Sequence, residues 1–255
     1  MARGSAPLTG PAGGYAHVPM WRQLAGRFLR RFDLKLVQYS ETYVARRDLL
    51  LRTSGVDAVL DIGANVGQYG QLLRHYGYAG RILSIEPLPG PFERLAARAA
   101  GDPRWDVERR AVGAEPGRLD IHVSDDSVYS SALPLAAAAN DWNPRSRYVA
   151  TESVQVEPVD VIVARHGLDP SRLGLKIDVQ GFERDVLRGA TSTLERVPYL
   201  ELELSGRPLY EGQMLLPESL EVTAAAGLTL VLAETLRPDP VTGRAMQFDG
   251  IFVRV

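Results

Sequence analysis

From Val56 onward, short apolar runs alternate with amphipathic stretches. The runs VDAVLDIG, GRILSIEP, WDVERRAVG, RLDIHVS, RLGLKIDV, YLELELS, LTLVLAE and DGIFVRV have strand length and are rich in Val, Ile and Leu. Between several of them apolar residues recur every three or four positions, which predicts helices over 68–76, 91–100, 182–194 and 216–226. Strand and helix in alternation predict a mostly parallel sheet covered by helices on both faces. The last two runs are joined by the Pro/Gly-containing loop RPDPVTGRAMQ, with no helix between them. They are therefore expected to form an antiparallel hairpin.

Two segments depart from this rhythm. Residues 20–52 read as helical, with Trp21, Leu24, Ala25, Phe28, Leu29 and Phe32 at helical spacing and Arg22, Arg27, Arg30, Arg31 and Lys35 between them. Two readings fit: a helix packed on the main domain with its arginines in water, or a basic amphipathic helix on a membrane surface. Ahead of it, MARGSAPLTGPAGGYAHVP reads as a flexible lead-in. The expected organisation is a lead-in and helical extension over 1–54 and one α/β domain over 55–255. The second segment, 124–156, is rich in Ser, Ala and Asn. It reads as a loop inserted between strands, placed to cover a substrate.

Composition narrows the chemistry. The formal net charge is −2 over 255 residues, so no global positive field draws nucleic acid and no such partner is expected. There is no cysteine, which excludes a disulfide scaffold, a zinc–thiolate centre and a cysteine nucleophile. No apolar run approaches the length of a membrane span, and the N-terminus lacks a signal-peptide core. A cytoplasmic location is the expectation.

The sharpest local signal is VLDIGANVGQYG, residues 59–70. A strand runs into Asp61, then Gly63, Asn65 and Gly67, then a helix. This D-x-G-x-N-x-G is neither a dinucleotide fingerprint nor a P-loop. Asp61 suits an ammonium group, with a helix cap as the plainer role. Tyr69 either covers a ligand or packs on the N-terminal helix. Glu86 ends the next strand nineteen residues after Gly67, where a carboxylate accepts from both ribose hydroxyls; the plainer reading is a solvated loop residue. Ala111 and Val112 follow the third strand and border either an adenine or the core. A nucleoside at one end and an ammonium at the other describe S-adenosylmethionine.

LGLKIDVQGFERDVLRGA (173–190) resembles the hallmark segment of the FkbM family of methyltransferases. The resemblance runs on through LELSGRPLYEGQ (202–213) and DPVTGRAMQFDGIFVR (239–254), and takes in DIGANVGQYG and EPLPGPFERL. It covers most of the chain from about residue 55. It implies a class I methyltransferase Rossmann-like fold with a seven-stranded sheet, and methyl transfer from S-adenosylmethionine, typically to a hydroxyl oxygen. Sugars on glycolipids and hydroxyls of polyketides or other secondary metabolites are acceptors in that family. The resemblance is weakest over 1–54 and LPLAAAANDWNPRSRYVATE.

Methylating an alcohol calls for a group that manages its proton. Asp178 ends a strand on the expected ligand side, with Lys176 two residues before it on the same face. Asp178 is read as base or metal ligand, or as a helix cap paired with Lys176. Glu203, on an apolar strand, pairs Lys176, binds a metal ion such as magnesium with Asp178, or faces the acceptor. Glu183 reads as a charge at a helix start, and His122 as a satisfied sheet histidine. Ser130 and Ser131 are candidate contacts, and Trp142 and Tyr148 candidate stacking partners for a sugar. The expected activity is O-methylation of a sugar or glycosylated natural product. The alternatives are a polyketide or peptide-derived hydroxyl, or a non-catalytic cofactor-binding module.

Overall fold

A computed structural model describes residues 37–136, 147–236 and 242–255, with positions 28, 29, 31, 32 and 34. The chain divides into two units, Met1–Thr42 and Tyr43–Val255. In the first, the rings of Phe28 and Phe32 meet edge to face at 5.3 Å.

The second unit is built on a seven-stranded sheet. Its strands are β1 (Ala58–Ile62), β2 (Arg81–Ile85), β3 (Trp105–Glu108), β7 (Leu173–Ile177), β8 (Tyr199–Ser205), β9 (Leu228–Leu236) and β10 (Gln247–Arg254), in the order β3-β2-β1-β7-β8-β10-β9. Pairings are parallel from β3 to β8, and β10 runs antiparallel to both β8 and β9. The predicted architecture and its closing hairpin are both present. Strand order reverses between β1 and β7, and open α/β sheets bind ligands at such a switch point.

Side-chain alternation divides the core between the two faces. Leu60, Ile62, Leu175, Ile177, Leu200 and Leu202 pack on one face, beneath α4 (Val159–Arg165), α5 (Glu183–Arg188) and α6 (Thr191–Leu194). Val59, Ile82 and Tyr199 pack on the other, in one cluster with Leu51 of α1 (Tyr43–Thr53), Leu73 of α2 (Gln68–His75) and Leu95 of α3 (Pro89–Ala99). This second face is partly polar: Asp61, Lys176 and Glu201 lie in register across β1, β7 and β8. A last helix, α7 (Leu216–Ala225), precedes β9.

Several elements differ from the sequence pattern. The helix expected over 20–52 is interrupted, because Gln38 and Thr42 are both extended and flank a short 3₁₀ turn. Its last part survives as α1, whose Arg47, Asp48 and Leu51 are buried, so the structural division falls before this helix and not after residue 54. The stretch 182–194 breaks into α5 and α6 around Gly189. WDVERRAVG splits into β3 and β4 (Ala111–Val112), and RLDIHVS becomes β5 (Gly117–Ser124). The segment 124–156, read as loop, contains most of β6 (Tyr148–Glu157). Strands β4, β6 and β5 form a separate three-stranded sheet. Most of β6 is exposed, so its polar composition hides the strand periodicity. Helix α4 follows that segment and was not among the helices expected from the pattern.

Candidate active site

The ends of β1, β2, β4 and β7 open into a cleft of about 750 Å3, its mouth included. Gly63, Asn65, Glu86, Ala111, Val112 and Asp178 line it, and Ser130 and Ser131 close it from the loop after β5. Leu119 and Ile121 of the small sheet form its apolar roof. Eight of the residues singled out in the sequence thus meet in one place.

The turn after β1 is shaped by close backbone approach. Gly63 has a φ of 79°, and a Cβ there would lie 1.8 Å from the Asp178 carbonyl oxygen. Its N–H and that of Ala64 donate to the Ile85 carbonyl at 3.0 Å. Asn65 takes a φ of 48° and presents its backbone N–H to Glu86 Oε2 at 2.9 Å. The Leu88 N–H donates to the other Glu86 oxygen at 2.9 Å. Each Glu86 oxygen keeps a free lone pair, which is what a vicinal diol needs. Burial pushes this carboxyl up to about 7, against the pull of the two N–H groups.

Other candidates stand elsewhere. Asp61 is fully buried and does not line the cleft. Its Oδ2 accepts from Ser84 Oγ at 3.0 Å, and Ser84 in turn accepts from Trp105 Nε1 at 3.0 Å. Its ion partner is internal, Lys176 Nζ at 3.5 Å from Oδ1. Alternation along β1 turns Asp61 away from the cleft, where the ammonium it meets is that of Lys176. Gly67 is also outside the lining: a Cβ there would lie 2.8 Å from Leu95 Cδ1, so the glycine serves helix packing. Tyr69 is buried under α1, donating to Glu201 Oε2 at 2.6 Å with the Arg47 guanidinium 5.3 Å from its ring centre. Tyr148 stacks on His122 at 4.8 Å and donates to the Leu133 carbonyl at 2.6 Å; neither ring lines the cleft. Trp142 lies outside the described residues.

Asp178 sits where the cleft meets the polar face of the sheet. Its side chain is 36% exposed, and Lys176 Nζ reaches Oδ2 at 3.3 Å. Lys176 is itself only 12% exposed. Burial alone would pull its ammonium down, but Asp178 and Asp61 on either side hold it above the usual lysine range. Glu203 is buried behind, and burial followed by the nearby Asp178 charge raises its carboxyl well above the usual range. Glu183 begins α5 and accepts from the N–H groups of Val179 (3.2 Å) and Gly181 (3.0 Å). It ties down the turn after Asp178, and burial lifts it to about 7.

The sequence reading missed Gln180, whose amide donates to both Asp178 Oδ1 (2.9 Å) and Glu203 Oε2 (3.0 Å). These two carboxyls were candidate metal ligands. An N–H donor fills the space between them, so the donor set does not suit a bridging cation. Among the described residues, no group of three or more His, Asp or Glu side chains is placed to hold a metal ion.

Residues 61–230 match the family model described as the methyltransferase FkbM domain. The chain belongs to the FkbM methyltransferase family. This FkbM protein is 26% identical to 2-O-methyltransferase NoeI of Sinorhizobium fredii over 172 residues, 64% of this chain and 70% of the relative. It is 27% identical to hexuronic acid methyltransferase AglP of Haloferax volcanii over 160 residues, 61% of this chain and 59% of AglP. The solved structure of methyltransferase FkbM from Methylobacillus flagellatus matches with a TM-score of 0.51 at 17% identity, covering 78% of this chain and 44% of that one. At that identity the likeness concerns the fold. The FkbM protein is a methyltransferase with S-adenosylmethionine as donor, which sets aside a non-catalytic module. Among the described residues no helix is long and apolar enough to cross a membrane.

Proposed function

We propose that this FkbM methyltransferase methylates a hydroxyl oxygen of a sugar or glycosylated small molecule. The carrying observation is the half-exposed Asp178 carboxylate at the edge of the cleft, pinned by Lys176 and Gln180. The free lone pairs of Glu86 fit a ribose diol, and the apolar strip of Ala111, Val112 and Ile121 fits an adenine. Gly63 and Asn65 would then border the amino-acid end of the donor. When bound, S-adenosylmethionine supplies an activated methyl carbon. The chain's own residues exclude water, hold the acceptor oxygen in line with that carbon, and take its proton at Asp178. Ser130 and Ser131 line the same wall; the Ser131 hydroxyl is engaged by the Gln180 carbonyl, which leaves that of Ser130 to face the ligands. The relative named a 2-O-methyltransferase supports an oxygen acceptor, and the one named a hexuronic acid methyltransferase supports a sugar.

The test begins with calorimetric titration of S-adenosylhomocysteine. Labelled methyl transfer follows, onto neutral methyl hexopyranosides, methyl hexuronosides and non-sugar polyketide hydroxyls. Transfer to a glycoside is expected. Transfer to the non-sugar hydroxyls alone overturns the sugar reading. Asp178→Asn is expected to lower kcat about a hundredfold or more while S-adenosylhomocysteine affinity stays within about threefold. Unchanged turnover in this variant removes Asp178 from the proton's path.

A further inference from the structure

The turn that follows Asp178 adopts a backbone that side chains resist. Gln180 has a φ of 53° and Gly181 a φ of 100°. The left-handed conformation costs a residue with a Cβ about 1 kcal/mol, and glycine at position 180 would remove that cost. A strained non-glycine residue beside a reacting group calls for an account of its side chain.

The amide of Gln180 is fully engaged. Its two hydrogens go to Asp178 Oδ1 and Glu203 Oε2, and its Oε1 accepts from the Tyr210 hydroxyl at 3.0 Å. The Asp178 carboxylate favours this orientation, because the reversed amide would set a carbonyl oxygen against it. The backbone carbonyl of Gln180 accepts from Ser131 Oγ at 2.5 Å. Tyr210 is buried, and its hydroxyl also lies 3.4 Å from the Tyr129 carbonyl. One residue therefore touches the carboxylate at the cleft, the carboxyl behind it and the loop that closes the cleft.

We propose that Gln180 is a positioning residue: its amide holds the Asp178 carboxylate in the orientation that meets the acceptor hydroxyl, and Tyr210 and Glu203 fix the amide from behind. Lys176 anchors one Asp178 oxygen and Gln180 the other, so the carboxylate cannot rotate about its last bond without losing a partner. This inference rests on the proposed role of Asp178 in receiving the acceptor's proton.

The test uses Gln180→Gly, which removes the amide and relieves the backbone at the same position. In a crystal structure of this variant with S-adenosylhomocysteine, Asp178 takes more than one orientation, or one different from that of the unmodified protein. With a glycoside acceptor, kcat falls about tenfold or more, while KM for S-adenosylmethionine and affinity for S-adenosylhomocysteine stay within about threefold. Tyr210→Phe gives a smaller loss alone and no further loss when combined with Gln180→Gly, because both act through one amide. An Asp178 carboxylate that keeps its single orientation in Gln180→Gly overturns the proposal. So does a donor affinity that falls in step with kcat, or losses from the two substitutions that simply add. The crystallographic arm needs no acceptor, so failure of every glycoside refutes the sugar reading while the positioning role is still judged by Asp178 itself.

Discussion

Replacing Glu86 by glutamine tests the proposed donor site where its geometry is most specific. The carboxylate is 6% exposed and each oxygen receives one backbone N–H. Glutamine has one oxygen, so its NH2 must face either the Asn65 or the Leu88 N–H, and the diol loses an acceptor on that side. Hydrogen bonds to a charged group contribute about 1.5–3 kcal/mol each. Losing the charge and one acceptor should weaken S-adenosylhomocysteine binding by about 3 kcal/mol, roughly two orders of magnitude in Kd. Calorimetric titration at pH 8 reads this directly. The unmodified protein should show a second signature, because burial pushes the Glu86 carboxyl up to about 7. A proton competes with the diol, so affinity should drop about tenfold between pH 8 and pH 6, and the glutamine variant should lose that slope. Stability has the opposite sense. A folded-state value raised above the unfolded one contributes stability that is fully present below about 4.5 and lost as pH rises through about 7. The span is worth about 3 kcal/mol, and bound S-adenosylhomocysteine should restore much of it. Glu86→Gln affinity within about threefold of the unmodified protein, with the slope retained, would refute the reasoning.

Other substitutions probe the surroundings. Gly63→Ala sets a methyl group 1.8 Å from the backbone oxygen of Asp178, just past β7. It should cost about 3 kcal/mol or more in urea denaturation, and a loss under about 1 kcal/mol would show that β1 and β7 part easily. Tyr69→Phe removes the 2.6 Å bond to buried Glu201. It should lower stability by about 1–3 kcal/mol and leave S-adenosylhomocysteine affinity unchanged; a collapse in affinity would place Tyr69 in the donor site.

The sequence carried the succession of strands well, because most central strands are continuous apolar runs whose identity does not depend on neighbours. It carried the position of Glu86 for the same reason: a strand end beside a glycine turn has few alternatives. Direction was harder to read. Asp61 and Lys176 sit on the sheet face opposite the one carrying Ile62 and Ile177, and only the pairing register of β1 with β7 reveals that they neutralise each other. The absence of a side chain at Gly67 reads equally as room for a ligand or room for Leu95 until α3 is in place. Gln180 had no local signal beyond the Gln–Gly pair at a strand exit, since its partners Glu203 and Tyr210 are distant in sequence. Within the small sheet β5 was legible as a run, whereas β6 was hidden by exposure: it buries few residues, so its alternation is faint.

The indole of Trp105 begins a line of polar contacts that crosses the sheet perpendicular to its strands. Trp105 on β3 donates to Ser84 on β2, Ser84 to Asp61 on β1, and Lys176 on β7 joins Asp61 to Asp178 at the cleft. A backbone ladder resists shear along the strands, whereas this row of side chains registers lateral displacement. The β3 edge is thereby linked, strand by strand, to the carboxylate proposed to face the acceptor. The same row makes the edge tryptophan a built-in optical gauge. Its emission should change when Asp61 or Lys176 is altered, although neither residue touches the ring.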